Sequence, residues 1–110
     1  NLCYSKTNVG VTSGGNITNA TKDADSIQFN EAQDIAANTT TNNFLVVDFY
    51  NADSTTEYKQ FSTTGNFTYA SGRVFIQQVG EVRTTSQITS LNFFTNQTFN
   101  GGKVYVYGVN

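Results

Sequence analysis

At 110 residues, with six Lys/Arg against eight Asp/Glu and a formal charge of −2, the chain has room for one domain and none for two. A charge this weak and mixed offers no clustered basic face for nucleic acid and no attraction to an anionic membrane. Fourteen Asn, seventeen Thr, six Tyr and nine Phe, with three Leu and no Pro, His, Trp or Met, point to an all-β protein. Thr and the aromatics suit a pleated, half-buried surface, and Asn and Gly suit turns.

Residues 1–25 are mostly Thr, Asn, Ser and Gly, and read as loop with one or two short strands around Leu2-Cys3-Tyr4 and Val9-Gly10-Val11, turning at Gly14-Gly15. An apolar tip of Leu2, Cys3 and Tyr4 on a polar stretch predicts an N-terminal arm that docks on a neighbour. The alternative is that the tip adds an edge strand to its own sheet. The single Cys3 excludes an intrachain disulfide, and with no His to act as its base it reads as a small buried hydrophobe. The absence of an initiator Met fits a processed chain or a piece of a longer one.

Residues 26–30 (SIQFN) put Ile27 and Phe29 on one side, as a short strand would. Residues 31–37 (EAQDIAA) have an acidic first turn and allow at most one short helix. After a polar loop, residues 43–50 (NFLVVDFY) carry apolar side chains on both faces and predict an interior strand. Residues 51–54 read as a turn, 57–62 (EYKQFS) as a polar edge strand, and 64–66 as a further turn before a short extension at 67–69. Residues 72–79 (GRVFIQQV) form a second two-faced strand, closed by Gly80 and Glu81. Residues 88–94 (ITSLNFF) and 103–109 (KVYVYGV) then predict a final hairpin through Asn100-Gly101-Gly102. A strand so near the end of the chain is expected to be tied into a sheet. The whole, 1–110, predicts a single antiparallel β-sandwich, jelly-roll-like.

Residues that could carry chemistry are few. Asp48 is the carboxylate best placed inside structure, and is read as capping the turn that follows rather than as half of a catalytic pair. Asp23, Asp25 and Glu31 resemble calcium ligands. A calcium loop would need Asp or Asn and then Gly where this chain has Ile27 and Gln28. One Cys and no His leave no zinc set. The chain is therefore expected to be non-enzymatic, with no catalytic residue, metal or cofactor. No apolar run approaches ~18 residues, so no membrane-crossing helix is expected. Five Asn-x-Thr sequons, at Asn16, Asn19, Asn38, Asn66 and Asn96, follow from the Asn and Thr content. Leu2, Tyr4, Tyr58, Tyr105 and Tyr107 are the candidate interface or glycan contacts. The lack of Trp weighs against a sugar platform.

Two motifs carry a resemblance. Thr85, Ile88, Thr89, Ser90 and Leu91, followed by Val106, Tyr107, Gly108 and Val109, resemble the last hairpin of small β-sandwich proteins found in tailed-bacteriophage particles. There a "(T/S)-x-x-I-T-S-(I/L)" strand leads into "x-(V/L)-Y-G-(V/I)". Residues 44–50, 51–56 and 57–61 follow the family's preceding strand, turn and strand, so the pattern runs in order over 43–110. The chain departs from it at Asp48, where members often carry Pro, and at Glu81-Val82-Arg83, where an aromatic is usual. Many members also have further N-terminal strands. The resemblance implies a virion structural protein without catalysis, a capsid-decoration (cement) protein or a tail-fibre or tail-tip component on the particle surface. Its expected partners are other virion proteins and copies of itself, with a host-surface glycan as a further candidate. The rivals are an extracellular carbohydrate-binding module and a bacterial surface-filament subunit.

Overall fold

The computed structural model describes residues 2–11, 17–29, 43–69, 72–94 and 101–108. Among them the protein is all-β, with five strands: β1 (Cys3–Val11), β2 (Ile17–Ala24), β3 (Phe44–Tyr50), β4 (Lys59–Tyr69) and β5 (Gly72–Val82). They form one antiparallel sheet in the order β2-β1-β5-β4-β3. The helix expected at 31–37 lies outside the described residues.

Alternation divides the sheet into two faces. The covered face carries Cys3, Ser5, Thr7 and Val9 from β1, Lys59, Phe61, Thr63 and Phe67 from β4, and Val74, Ile76, Gln78 and Val82 from β5, all buried. Two apolar clusters sit on it. Val9, Phe67, Val74 and Ile76 form one, and Cys3, Phe61 and Val82 the other. A polar row separates them, because Thr7, Gln78 and Thr63 lie directly opposite one another across β1, β5 and β4. Gln78 Nε2 donates to Thr7 Oγ1 at 3.0 Å and to the backbone oxygen of Gln28 at 2.8 Å.

That second bond fixes what covers this face. Phe29 packs on the first cluster and Ile27 on the second. The alternation read at 26–30 is therefore present, but residues 26–29 are not a strand. They lie over the covered face instead of pairing with it, Ile27 on one cluster, the Gln28 carbonyl at the polar row and Phe29 on the other cluster.

Other expectations are corrected. The first 25 residues supply β1 and β2, and β1 is an interior strand, not an arm or an edge. Its Ser and Thr are no obstacle, because Thr7 buries its hydroxyl with Gln78 as partner. β3, read as interior, is an edge, and the 57–62 stretch, read as an edge, begins the interior strand β4. Gly65, read as a turn, lies within β4 opposite Ile76 and Leu45, where a Cβ would come 2.9 Å from Ile76 and 3.0 Å from Leu45. Gly80 does not close β5, which runs on to Val82. A Cβ there would meet the Tyr4 carbonyl oxygen at 2.2 Å, so β1 and β5 approach this closely only because the position is glycine. The turn at 51–54 is as expected, with Asn51 at φ 58° and Ser54 N donating to Asn51 O at 3.0 Å. Cys3 is buried, as read.

Candidate functional site

After Val82 the chain leaves the sheet, and its first residues are tied down by several bonds. Arg83 N donates to Leu2 O at 2.7 Å, and Ile88 N to Ala52 O at 2.8 Å. Gln87 Nε2 donates to Asp53 O at 2.9 Å. From Leu91 to Phe94, and again over 101–108, every residue is exposed.

No residue of 83–94 or 101–108 lies in a strand, so the expected final hairpin is not formed by the described residues. The residues of its turn, 95–100, lie outside them. β5, the strand that would naturally receive 88–94, already has β1 on one side and β4 on the other. A period-two pattern fixes which side chains share a face. It does not provide a free edge to pair with.

The last stretch is unusual for an exposed segment. Val104 and Val106 are 63% and 70% exposed, and Tyr105 and Tyr107 are 67% and 81% exposed. The two tyrosine rings stack at 6.4 Å and 14°. The segment is preceded by Gly101 and Gly102 at φ 142° and 106°, a region that side-chain-bearing residues rarely enter.

The sheet's second face is open. Phe44, Val46 and Tyr50 of β3 and Phe75 and Val79 of β5 are exposed there, so the described residues supply no second layer of a sandwich. Reading 43–50 as at least partly covered on both sides missed the exposure of Phe44, Val46 and Tyr50. Two shallow hollows lie on this face, one of about 460 Å³ between Tyr4 and Tyr50, the other of about 380 Å³ between Phe44 and Phe75.

The predicted contact residues do not converge. Tyr105 and Tyr107 are together. Tyr4 lies under the Arg83 guanidinium, 5.0 Å from its ring centre. Arg83 bonds Glu81 at 3.2 Å and Asp23 at 3.4 Å, and these partners, Glu81 first, raise its pKa further. Leu2 has both backbone groups engaged, its N with Asp25 Oδ1 at 3.1 Å and its O with Arg83. Tyr58 is exposed beside the 51–57 turn.

The candidate chemistry is likewise dispersed. Asp48 is exposed on β3 opposite Ser62, and the turn it was expected to cap is held by Ser54 Oγ, which accepts from Thr56 N and Glu57 N. Asp23 and Asp25 are engaged with Arg83 and Leu2, and Glu31 lies outside the described residues. No group of three or more His, Cys, Asp or Glu able to hold a metal occurs among the described residues. No helix long and apolar enough to cross a membrane occurs among the described residues. Comparison with protein-family models, curated proteins and solved structures finds no match to this chain.

Proposed function

We propose that the chain is a non-enzymatic structural subunit of a bacteriophage particle, a capsid-decoration protein or a tail-fibre or tail-tip component. It is held there by contacts with copies of itself and with other virion proteins. The observation that carries the assembly reading is the exposed segment Val104-Tyr105-Val106-Tyr107, apolar on both sides and without a strand partner among the described residues. Exposed apolar surface of this kind marks an interaction site. The phage setting comes from the sequence motifs at 85–91 and 106–109. A subunit repeated on a particle gains avidity from many modest contacts and needs no deep pocket. The test is mass spectrometry and antibody labelling of purified particles from the source of the chain. Its presence at regular surface positions is expected, and its absence from the particles would overturn the reading.

The stacked, exposed pair Tyr105 and Tyr107 favours one other reading, a carbohydrate-binding surface. Saturable binding on a glycan array, lost in Tyr107→Ala, would establish it in place of the first.

A further inference from the structure

We propose that residues 103–107 of one copy add as an antiparallel strand to the free edge of β3 in a second copy, with Lys103 opposite Asp48. This deepens the assembly reading above and rests on it.

Three observations lead there. First, among the described residues both partners are open: β3 has β4 on one side only, and 103–107 pairs with no strand. Second, the two are alike in being apolar on both faces, which an added strand requires when one face is covered and the other is to be shared. β3 turns Leu45, Val47 and Phe49 to the covered face and Phe44, Val46 and Tyr50 to the open one. In the extended form a strand takes, the segment would turn Val104 and Val106 one way and Tyr105 and Tyr107, whose rings already stack, the other. The other sheet edge, β2, carries Lys22 and Asp23, charges of the kind that protect an edge from pairing. β3 has no Pro, no Lys and one acid, Asp48.

Third, the charges select a register. With Lys103 opposite Asp48, Val104 faces Val47 and Val106 faces Leu45 on the covered side. Tyr105 then faces Val46, and Tyr107 faces Phe44, on the open side. A slip of one residue exchanges the faces and drives Lys103 toward the covered side, where an unpaired charge is costly. A slip of two keeps the faces but sets Lys103 against Val46 or Tyr50 and loses the charge pair. Neither Asp48 nor Lys103 has an ion-pair partner among the described residues. Reciprocal exchange, each copy giving its segment and receiving another, closes the assembly around a symmetry axis. The pairing is strand addition to a sheet edge, with main-chain bonds for affinity and side-chain register for specificity.

The experiment uses the full chain, with light scattering over a concentration series. The wild type is expected to be oligomeric at about 100 µM. Asp48→Lys and Lys103→Asp should each weaken association roughly fivefold, as like charges come face to face. The double variant should return to within about twofold of wild type. Lys103 lies outside the sheet, so Lys103→Asp leaves the fold intact and keeps the test decisive even if Asp48→Lys does not fold. Cross-linking fixes the register. Val46→Cys co-expressed with Tyr105→Cys should oxidise to a dimer between the two variants, because directly opposed Cβ atoms are ~5 Å apart. Val46→Cys with Val104→Cys, whose side chains would face opposite ways, should not. Cys3 is buried and does not compete.

A monomeric wild type, a double variant that stays weak, or equal cross-linking from both pairs overturns the inference. A monomer that still labels particles sinks strand exchange and spares the particle reading. An exchanged oligomer absent from particles does the reverse.

Discussion

Lys59 and Thr84 are joined by a hydrogen bond of 3.1 Å from the buried ammonium of one to the backbone oxygen of the other. The same ammonium donates to Ser54 O at 2.6 Å and Glu57 O at 3.0 Å, so one interior side chain ties the 54–57 turn to the root of the C-terminal segment. Its charge is met by three carbonyl dipoles and no carboxylate among them.

Lys59→Met keeps the stem and removes the donors, leaving three carbonyl oxygens without them. A loss of about 2 kcal/mol is expected, since hydrogen bonds from a charged donor count for more than neutral ones but the removed charge was costly to bury. The urea midpoint should fall. The amide of Ile88, bonded to Ala52 O in the same corner, should exchange its hydrogen faster than amides at the far end of the sheet.

Gly80→Ala sets a methyl 2.2 Å from the Tyr4 carbonyl oxygen and 2.6 Å from the Phe61 ring. The ring can turn, but the backbone oxygen cannot move without parting β1 from β5. A cost of about 3 kcal/mol or more is expected, enough to unfold a marginal domain. Gly10→Ala, in the same pair of strands and with nothing within 4 Å of its Cβ, should leave the melting temperature within a few degrees of wild type. Equal effects from the two would refute the close approach.

Thr63→Val should stabilise. Thr63 Oγ1 is buried without a hydrogen-bond partner among the described residues, and so is Gln78 Oε1 on the opposed residue of β5. Valine has the same shape and no hydroxyl to desolvate, so a gain of up to about 1 kcal/mol is expected in chemical denaturation. A loss instead would mean that the hydroxyl is satisfied in solution.

Cys3 gives a pH dependence of known sign. Burial, and after it the nearby Asp25 carboxylate, push the thiol above its usual value. The folded state then holds the thiol proton more tightly than the unfolded state does. The stability this adds is complete below the ordinary thiol range, about 8.5, and is lost as pH rises toward the folded value. Against Cys3→Ala, which cannot titrate, the wild-type advantage should be flat from about pH 6 to 8 and shrink at higher pH. A gap that widens with pH would contradict the shift.

The faces of the strands were legible in the sequence, because alternation reports directly on which side chains share a side. Phe61 against Gln60, Ile76 against Phe75 and Leu45 against Val46 all divide as the pattern predicts. The strands' neighbours were not legible. β3 looks interior because it is apolar on both sides, yet it is an edge with one of those sides bare. β4 looks polar because it carries Lys59, Thr63 and Thr64, yet it is interior, its lysine satisfied by carbonyls from residues up to 25 positions away. β1 was hidden by its Ser and Thr, and the buried hydroxyl of Thr7 takes its bond from a glutamine 71 residues further on. Of the contact residues, only the Tyr105–Tyr107 pairing could be read locally, from their spacing of two.

The pairing of β1 with β5 has a consequence for the order of assembly in time. The β1–β2 hairpin and the β3–β4–β5 meander are each built from neighbours in sequence, and each can form within microseconds of its own residues meeting. The seam between them, Cys3 against Val82 through Val11 against Val74, joins opposite ends of the sheet-forming sequence. Closing it sacrifices the entropy of the long intervening loop before any contact repays it. The seam should therefore set the folding rate. Substitutions at Val9 or Ile76, which meet across it, should slow refolding, whereas those confined to the β3–β4 pair should chiefly speed unfolding.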